Sequence, residues 1–201
     1  MKVNKPCLFA GIDQLKMYQK YGRHMKASTK RETKETSVEV SMNLEGSGVR
    51  EVNTGIELLD FMLSDFASAG IFDLEVRAKG DLETGDHHTT EDVGITLGAV
   101  LTKLITKGTG SSIVPAGECQ AMAAVRFGEP GYRGDFDFQA EELGGMSLEN
   151  FGHFLRALAY NGGFTLHMKA EGDDDRRKIE AMAIALGRAI RKAARDGFEK
   201  R

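Results

Sequence analysis

The alternation of apolar and polar residues predicts strands and helices in turn along the chain. Residues 37–44 (SVEVSMNL) alternate as in a strand with one buried face. Apolar residues recur at helical spacing over 56–66, and this helix is expected to stop at Gly70. A second apolar helix is predicted over 93–105, after an acidic start at Glu91 that suits the positive end of a helix dipole.

The chain contains an internal repeat, and each copy is predicted to consist of a helix, a strand, a loop and a second helix. In the first copy, Leu74 and Val76 alternate with charged residues along the strand. The spacing between the copies changes by three residues between strand and helix, which indicates a deletion in a loop, where length costs little. The matching segments are 61–70 with 153–162 and 72–81 with 164–173, both 92 residues apart, and 86–99 with 175–188, 89 residues apart.

This repeat predicts an α+β fold, made by tandem duplication of a unit of one sheet and two helices, with the helices packed on one face of the sheets. The expected divisions are a basic N-terminal extension (1–30), a first half (31–110) and a second half (111–201). Residues 1–34 carry nine Lys and Arg against Asp13 and Glu32. They form either a solvated extension or short helix, or an arm that binds an anion or a neighbouring subunit.

Composition restricts the class of protein. Of the 201 residues, 41% are hydrophobic, which is enough for a buried core and argues against disorder. A net charge of −3 gives no reason to expect nucleic acid or an anionic membrane as the partner. The sequence has no apolar run long enough to span a bilayer, and the apolar core of its first residues is shorter than a secretory signal is expected to have. Cys7 and Cys119 make no disulfide framework, so a cytoplasmic location is expected.

Three residues near the start of the second predicted helix could hold a metal ion. His87 and Glu91 are four residues apart and His88 and Glu91 three, so their side chains project from one helical turn. Imidazole with carboxylate suits manganese, iron or zinc better than magnesium. Adjacent histidines at a helix start are also common as a polar surface feature, so the spacing leaves both interpretations open.

Through the repeat, each of these three candidate metal ligands has an equivalent position in the second half of the chain. Two halves packed about a pseudo-twofold axis, with histidine at all six equivalent imidazole positions, would hold two metal sites. In this chain three of the six positions are not histidine. The equivalent positions are Phe61 with His153, His87 with Arg176, His88 with Arg177, and Glu91 with Glu180.

Five stretches of the chain together form a specific set of motifs: 31–36 (RETKET), 53–56 (NTGI), 80–81 (GD), 87–92 (HHTTED) and 165–167 (TLH). These motifs resemble those of the imidazoleglycerol-phosphate dehydratase family of histidine biosynthesis. The resemblance implies a duplicated fold of the ribosomal protein S5 domain 2 type, in a homo-oligomeric shell of 24 subunits. It also implies two manganese ions per active site between subunits, no organic cofactor, and a small phosphorylated imidazole as ligand.

The chain departs from the family pattern at both the metal and the phosphate ends. A guanidinium cannot ligate a cation, because it stays protonated and has no acceptor. An acid in place of a phosphate-binding arginine replaces attraction with repulsion. The departures are Phe61, Arg176 and Arg177 at metal-ligand positions, Ile184 at a lysine position and Glu129 at an arginine position. The segment 115–118 (PAGE) also differs, and the family's Ser-Lys-Gly tail is absent.

By resemblance, a partial set of functional residues remains. If the chain is active, Glu91, Glu180 and Glu35 are the candidate catalytic residues. Arg31 and His167 are the candidate substrate-binding residues. The remaining metal ligands are His87, His88, Glu91, His153 and Glu180, which predict one manganese site or none.

Three functional hypotheses follow. The first is a family member whose di-manganese and phosphate sites are eroded, and whose dehydratase activity is impaired or lost. The alternative is an active metal-dependent hydro-lyase that uses one remaining metal site. The third is a scaffold or regulator that works beside a complete paralogue in a mixed shell. In the first case Arg176 and Arg177 are expected to replace the metals by pairing with Glu91 and Glu180.

Overall fold

A computed structural model describes residues 25–80 and 82–199, which form two similar halves. Each half has a four-stranded sheet and two long helices. The first half contains β1 (Lys26–Glu32), β2 (Thr36–Asn43), β3 (Arg50–Asn53), α1 (Glu57–Gly70), β4 (Asp73–Gly80), a 3₁₀ turn (Leu82–Thr84) and α2 (His87–Leu104). The second contains β5 (Gly108–Ala116), β6 (Cys119–Phe127), β7 (Gly131–Asp135), β8 (Glu142–Leu143), β9 (Met146–Ser147), α3 (Leu148–Asn161), β10 (Phe164–Glu171) and α4 (Asp175–Glu199).

The two sheets have the same topology, which confirms the duplicated α+β unit. The strand order is β1-β2-β4-β3 in the first sheet and β5-β6-β10-β7 in the second. The last strand of each order runs parallel to its neighbour, and the other pairs are antiparallel. Along β2, Val38, Val40 and Met42 are buried in the core, as the alternation predicts.

The helices pair across the two halves. Helix α1 packs against α4, and α2 packs against α3, so each pair joins one helix of each half. Glycines allow both close approaches. A Cβ at Gly98 would lie 2.8 Å from the carbonyl oxygen of Leu158, and one at Gly187 would overlap the carbonyl oxygen of Phe66. Gly98 and Gly187 are equivalent positions of the repeat, so a glycine permits the close approach at both helix crossings.

The first sheet begins earlier than the sequence predicts. Strand β1 starts at Lys26, inside the segment 1–30 that was expected to be an extension, and residues 1–24 lie outside the described residues. The burial pattern of β1 explains the difference, because none of its residues is fully buried. Within the described ranges, none of the helices combines the length and hydropathy that a bilayer span requires.

Candidate functional site

Histidines from both halves meet where α2 lies against α3. The ring of His87 is 5.4 Å from the ring of His153, at 77° to it, and 5.7 Å from the ring of His88. His87 and His88 are the first two residues of α2, and His153 lies in the first half of α3. All three are exposed. We call His87, His88, Glu91 and His153 the histidine site.

A hydrogen-bonded chain orients the His87 ring. Asn150 donates from Nδ2 to Asp86 Oδ2 at 3.0 Å, because a carboxylate can only accept. The Asn150 Oδ1 atom therefore faces His87 Nδ1, 2.8 Å away, and accepts a hydrogen bond from the N–H at that position. In the neutral ring Nε2 is then the nitrogen that carries the lone pair, and it lies 3.9 Å from Glu91 Oε2. A fixed tautomer of this kind is typical of a metal-ligating histidine.

The donor set of the histidine site fits a transition metal. Imidazole nitrogens and one carboxylate suit manganese, iron or zinc, and Nε2 of His87 lies 3.9 Å from the Glu91 carboxylate. In the part of one chain that the structure describes, no three His, Cys, Asp or Glu side chains converge closely enough to hold an ion. A complete coordination sphere would therefore need movement of these side chains or ligands from a second chain.

The equivalent position, where α1 lies against α4, has different chemistry. The Arg176 guanidinium carbon lies 4.6 Å from the centre of the Phe61 ring, a cation–π contact. Arg176 Nη1 is also 3.7 Å from Glu57 Oε1. We call Glu57, Phe61, Arg176, Arg177 and Glu180 the arginine site. Neither a phenyl ring nor a guanidinium offers a lone pair to a cation, which leaves the two carboxylates as the only donors of the set. The two guanidinium groups repel a dication, so this set does not fit a metal.

The arginines do not make the ion pairs expected from the sequence. Arg176 was expected to replace a metal by pairing with Glu91 or Glu180, but its partner is Glu57. Arg177 pairs instead with Asp174, three residues earlier on the same helix, at 3.5 Å. Glu91 is out of reach because it lies in the other helix pair, beside His87.

Further carboxylates surround the arginine site. Asp65 lies two turns after Glu57 along α1 and is half-buried. Burial, and then the Glu180 carboxylate, raise the pKa of Asp65 above its usual range, against the opposing effects of Arg50 and Arg176. The Arg176 guanidinium therefore lies in the field of several acids.

Two of the sequence motifs meet beside the histidine site. Arg31 Nε donates to Asp92 Oδ1 at 2.7 Å, and the Thr36 hydroxyl donates to Asp92 Oδ2. Asp92 and Thr36 are buried, whereas the Arg31 side chain is 40% exposed. The RETKET stretch is thus fixed to the HHTTED helix, and no hydrogen bond to the terminal nitrogens of Arg31 is formed within the described residues.

The other predicted site residues lie in other elements of the fold. His167 is exposed on β10 between the buried Leu166 and Met168, so it lies on the outer face of the second sheet, away from the helices. Glu35 is exposed on the turn between β1 and β2. Glu129 is exposed in a loop, and Ile184 packs against the core.

The sequence did not identify the residues that position the side chains of other site residues. Asn150 and Asp86 orient His87, and Glu57 holds Arg176. Asn150 is largely buried, although it lies in a helix whose other face is exposed. A polar residue on the buried side of an amphipathic helix was the one signal that could have identified it.

Comparison with known proteins decides the family. The model of the family described as imidazoleglycerol-phosphate dehydratase matches residues 54–190. This chain belongs to the imidazoleglycerol-phosphate dehydratase family. It is 42% identical over 177 residues to the imidazoleglycerol-phosphate dehydratase of Acetivibrio thermocellus, which covers 85% of this chain and 91% of that protein. The dehydratase of Thermoanaerobacter pseudethanolicus is 44% identical, with the same coverage of each chain.

Solved structures of the same family share the fold. The imidazoleglycerol-phosphate dehydratase of Staphylococcus aureus superposes with a TM-score of 0.74 at 27% identity, covering 84% of this chain and 98% of that one. The enzyme from Pyrococcus furiosus gives a TM-score of 0.72 at 30% identity, covering 83% and 93%. The resemblance in the motifs is therefore confirmed over nearly the whole length of these relatives.

Proposed function

We propose that this protein is a metal-dependent imidazoleglycerol-phosphate dehydratase of histidine biosynthesis that works with one metal ion per chain, held at the histidine site. The observation that carries the proposal is the His87 ring, which Asn150 orients so that Nε2 lies beside Glu91 and the ring lies beside that of His153. The similarity to named dehydratases over about nine-tenths of their length supports the same activity. A bound ion would supply an electron sink for the imidazole ring of the substrate.

Residues of this chain would supply binding and proton transfer. Dehydration removes a proton from one carbon and hydroxide from its neighbour, so the site needs a carboxylate to accept a proton. Glu91 lies beside His87, and Glu35 is exposed on the turn that precedes Thr36. Arg31 is fixed through Nε to Asp92, which leaves its terminal nitrogens to bind a phosphate.

A homo-oligomer is part of this proposal. Within one chain the histidine site lacks a converged set of three ligands among the described residues, and His167 lies on the outer face of its sheet. A second copy could bring Glu180 or His167 to the histidine site. The shell of 24 subunits that the family resemblance implies would provide such contacts between copies.

The arginine site supports a second candidate function. Phe61 and Arg176 occupy two metal-ligand positions of the family and contact each other instead. A chain with this change could keep the fold with impaired or lost turnover, alone or beside a complete paralogue in a mixed shell.

Manganese stoichiometry, measured together with turnover of imidazoleglycerol phosphate, distinguishes the two candidates. The protein is stripped of metal, reconstituted with manganese and assayed beside His153→Phe, which copies the equivalent residue of the arginine site. We expect about one manganese per chain and metal-dependent turnover in the wild type, with both reduced in the variant. Neither metal nor turnover in the wild type would favour the second candidate, and two ions would mean that the ligand assignment is wrong.

A further inference from the structure

We propose that the Arg176 guanidinium, stacked on Phe61, is the resident cation of the arginine site and takes the place of a second metal ion. The inference deepens the proposed function and rests on it only for the number of ions expected in the wild type. The histidine and arginine sites are equivalent by the repeat, but their donor sets differ in kind.

The geometry of the two sites supports a substitution of one cation for another. His87 lies over His153 with ring centres 5.4 Å apart, and Arg176 lies over Phe61 with its guanidinium carbon 4.6 Å from the ring centre. In each pair, the first residue lies in the first turn of a helix that packs across the halves. The imidazole pair presents lone pairs, whereas the guanidinium supplies the positive charge itself.

The surrounding charge explains why a cation is retained. Glu57 pairs with Arg176, and Glu180 lies one turn after Arg176 on the same face of α4, toward Asp65 of α1. Without the guanidinium, Glu57 would lose its partner, and Asp65 would keep the repulsion from Glu180 with Arg50 as its remaining nearby cation. A permanent cation at Arg176 offsets that repulsion, so it stabilises the helix pair.

The two substitutions depend on each other. A phenyl ring at position 61 cannot ligate a metal, but it offers the π face that a guanidinium prefers. An imidazole at position 61 would lose its metal once Arg176 occupied the site, because the fixed positive charge repels a dication. Phe61 and Arg176 therefore act as a pair, and restoring one of them alone should not restore a metal site.

Metal binding by restored variants tests this proposal. Phe61→His/Arg176→His/Arg177→His returns all three imidazoles and keeps Glu180, and should bind about one manganese per chain more than the wild type. Phe61→His alone should bind no more than the wild type, because Arg176 remains. Arg188→His is the matched control, since Arg188 is an exposed arginine three turns further along α4. Stoichiometry is read by elemental analysis after equilibrium dialysis, on protein whose folding is checked by circular dichroism.

The outcomes separate this inference from the proposed function. No gain in the triple variant, or an equal gain in Phe61→His alone, would overturn the inference. Two ions in the wild type would overturn it as well. No ion in the wild type with one in the triple variant would refute the proposed one-metal function and leave the inference intact.

A double-mutant cycle provides a measurement that does not need the triple variant to fold. Phe61→Ala, Arg176→Ala and their combination alter half-exposed side chains. The coupling between them should change the unfolding equilibrium constant by about two- to fivefold. His87→Ala and His153→Ala give the equivalent cycle in the other helix pair. Additive effects of Phe61→Ala and Arg176→Ala would contradict the stacked pair.

Discussion

Arg31 and Asp92, 61 residues apart in the chain, share a hydrogen bond of 2.7 Å between Nε and Oδ1. The same Asp92 carboxylate accepts the Thr36 hydroxyl, so one buried acid fixes the first hairpin to α2. The hairpin carries the Arg31 side chain, and α2 carries the first two histidines of the histidine site. The bond therefore sets the position of a candidate phosphate-binding group relative to a candidate metal centre.

Replacing Asp92 should destabilise the protein more than replacing Arg31. Asp92→Ala leaves the Thr36 hydroxyl and the Arg31 guanidinium without their buried partner, and should cost about 2–3 kcal/mol of unfolding free energy. Arg31→Ala should cost about 1 kcal/mol, because that side chain is 40% exposed and its charge is screened. Urea denaturation measures both. Equal losses would mean that the Arg31 bond, and not the Thr36 bond, dominates.

Asn150 should control the affinity of the histidine site for metal. Asn150→Ala removes the acceptor of the His87 Nδ1 proton, so the ring can rotate and change tautomer. We expect a fall in manganese affinity of about 10- to 100-fold, measured by calorimetric titration. Asn161→Ala is a suitable control, because the side-chain amide of Asn161 bonds to the backbone of its own helix. An unchanged affinity in Asn150→Ala would show that the His87 tautomer is not set by this bond.

Asp65, beside the arginine site, should make the free energy of unfolding decrease with rising pH in the acidic range. The pKa of Asp65 is raised by burial and by Glu180, so the folded state binds this proton more tightly than the unfolded state. Its contribution is present below the unfolded value, near 3.9, and is lost as pH rises through the higher folded-state pKa. Asp65→Asn should remove this decrease in the free energy of unfolding with rising pH, measured by urea denaturation across the acidic range.

Asp73 should have the opposite effect on the pH dependence of stability. The backbone N–H of Ser47, and to a smaller extent that of Val49, lower the pKa of Asp73 below its usual range. Its contribution is therefore present above the unfolded value and is lost as pH falls through the folded-state pKa. Asp73→Asn should therefore reduce the increase in the free energy of unfolding with rising pH. If both variants change the slope in the same direction, the assignment for Asp65 is wrong.

The two helix crossings should differ in their tolerance of a methyl group. Gly187→Ala would force a Cβ into the Phe66 carbonyl oxygen and should cost about 2–3 kcal/mol, even after the helix propensity of alanine is counted. Gly98→Ala meets the Leu158 carbonyl oxygen at 2.8 Å and should cost about 1 kcal/mol. Thermal unfolding compares the pair directly. A larger loss in Gly98→Ala would mean that α2 and α3 are the more rigid pair.

Much of the fold could be predicted because the repeat and the apolar periodicity reinforce each other. The helix ending at Gly70 and the alternating strand at Val38 and Val40 follow from local pattern alone. Strand β1 could not be predicted, because its partly exposed residues are held by pairing with β2 rather than by burial. Periodicity identifies a strand only when one face is apolar.

The candidate site was predictable in its residues but not in its contacts. The equivalence of Phe61 with His153, and of Arg176 with His87, follows from the repeat spacing in the sequence. That Arg176 stacks on Phe61 rather than pairing with Glu180 depends on which helices pack together, and spacing along one chain does not determine this.

The pairing of helices across the halves has an evolutionary consequence. In a symmetric dimer of half-length chains, every substitution would appear twice, and the two helix pairs would stay identical. Fusion into one polypeptide removed that constraint, because α1 with α4 and α2 with α3 are encoded separately. In this chain one pair carries a guanidinium stacked on a phenyl ring, and the other carries imidazoles. The duplication thus allows an inherited asymmetry that no assembly of identical single units could acquire.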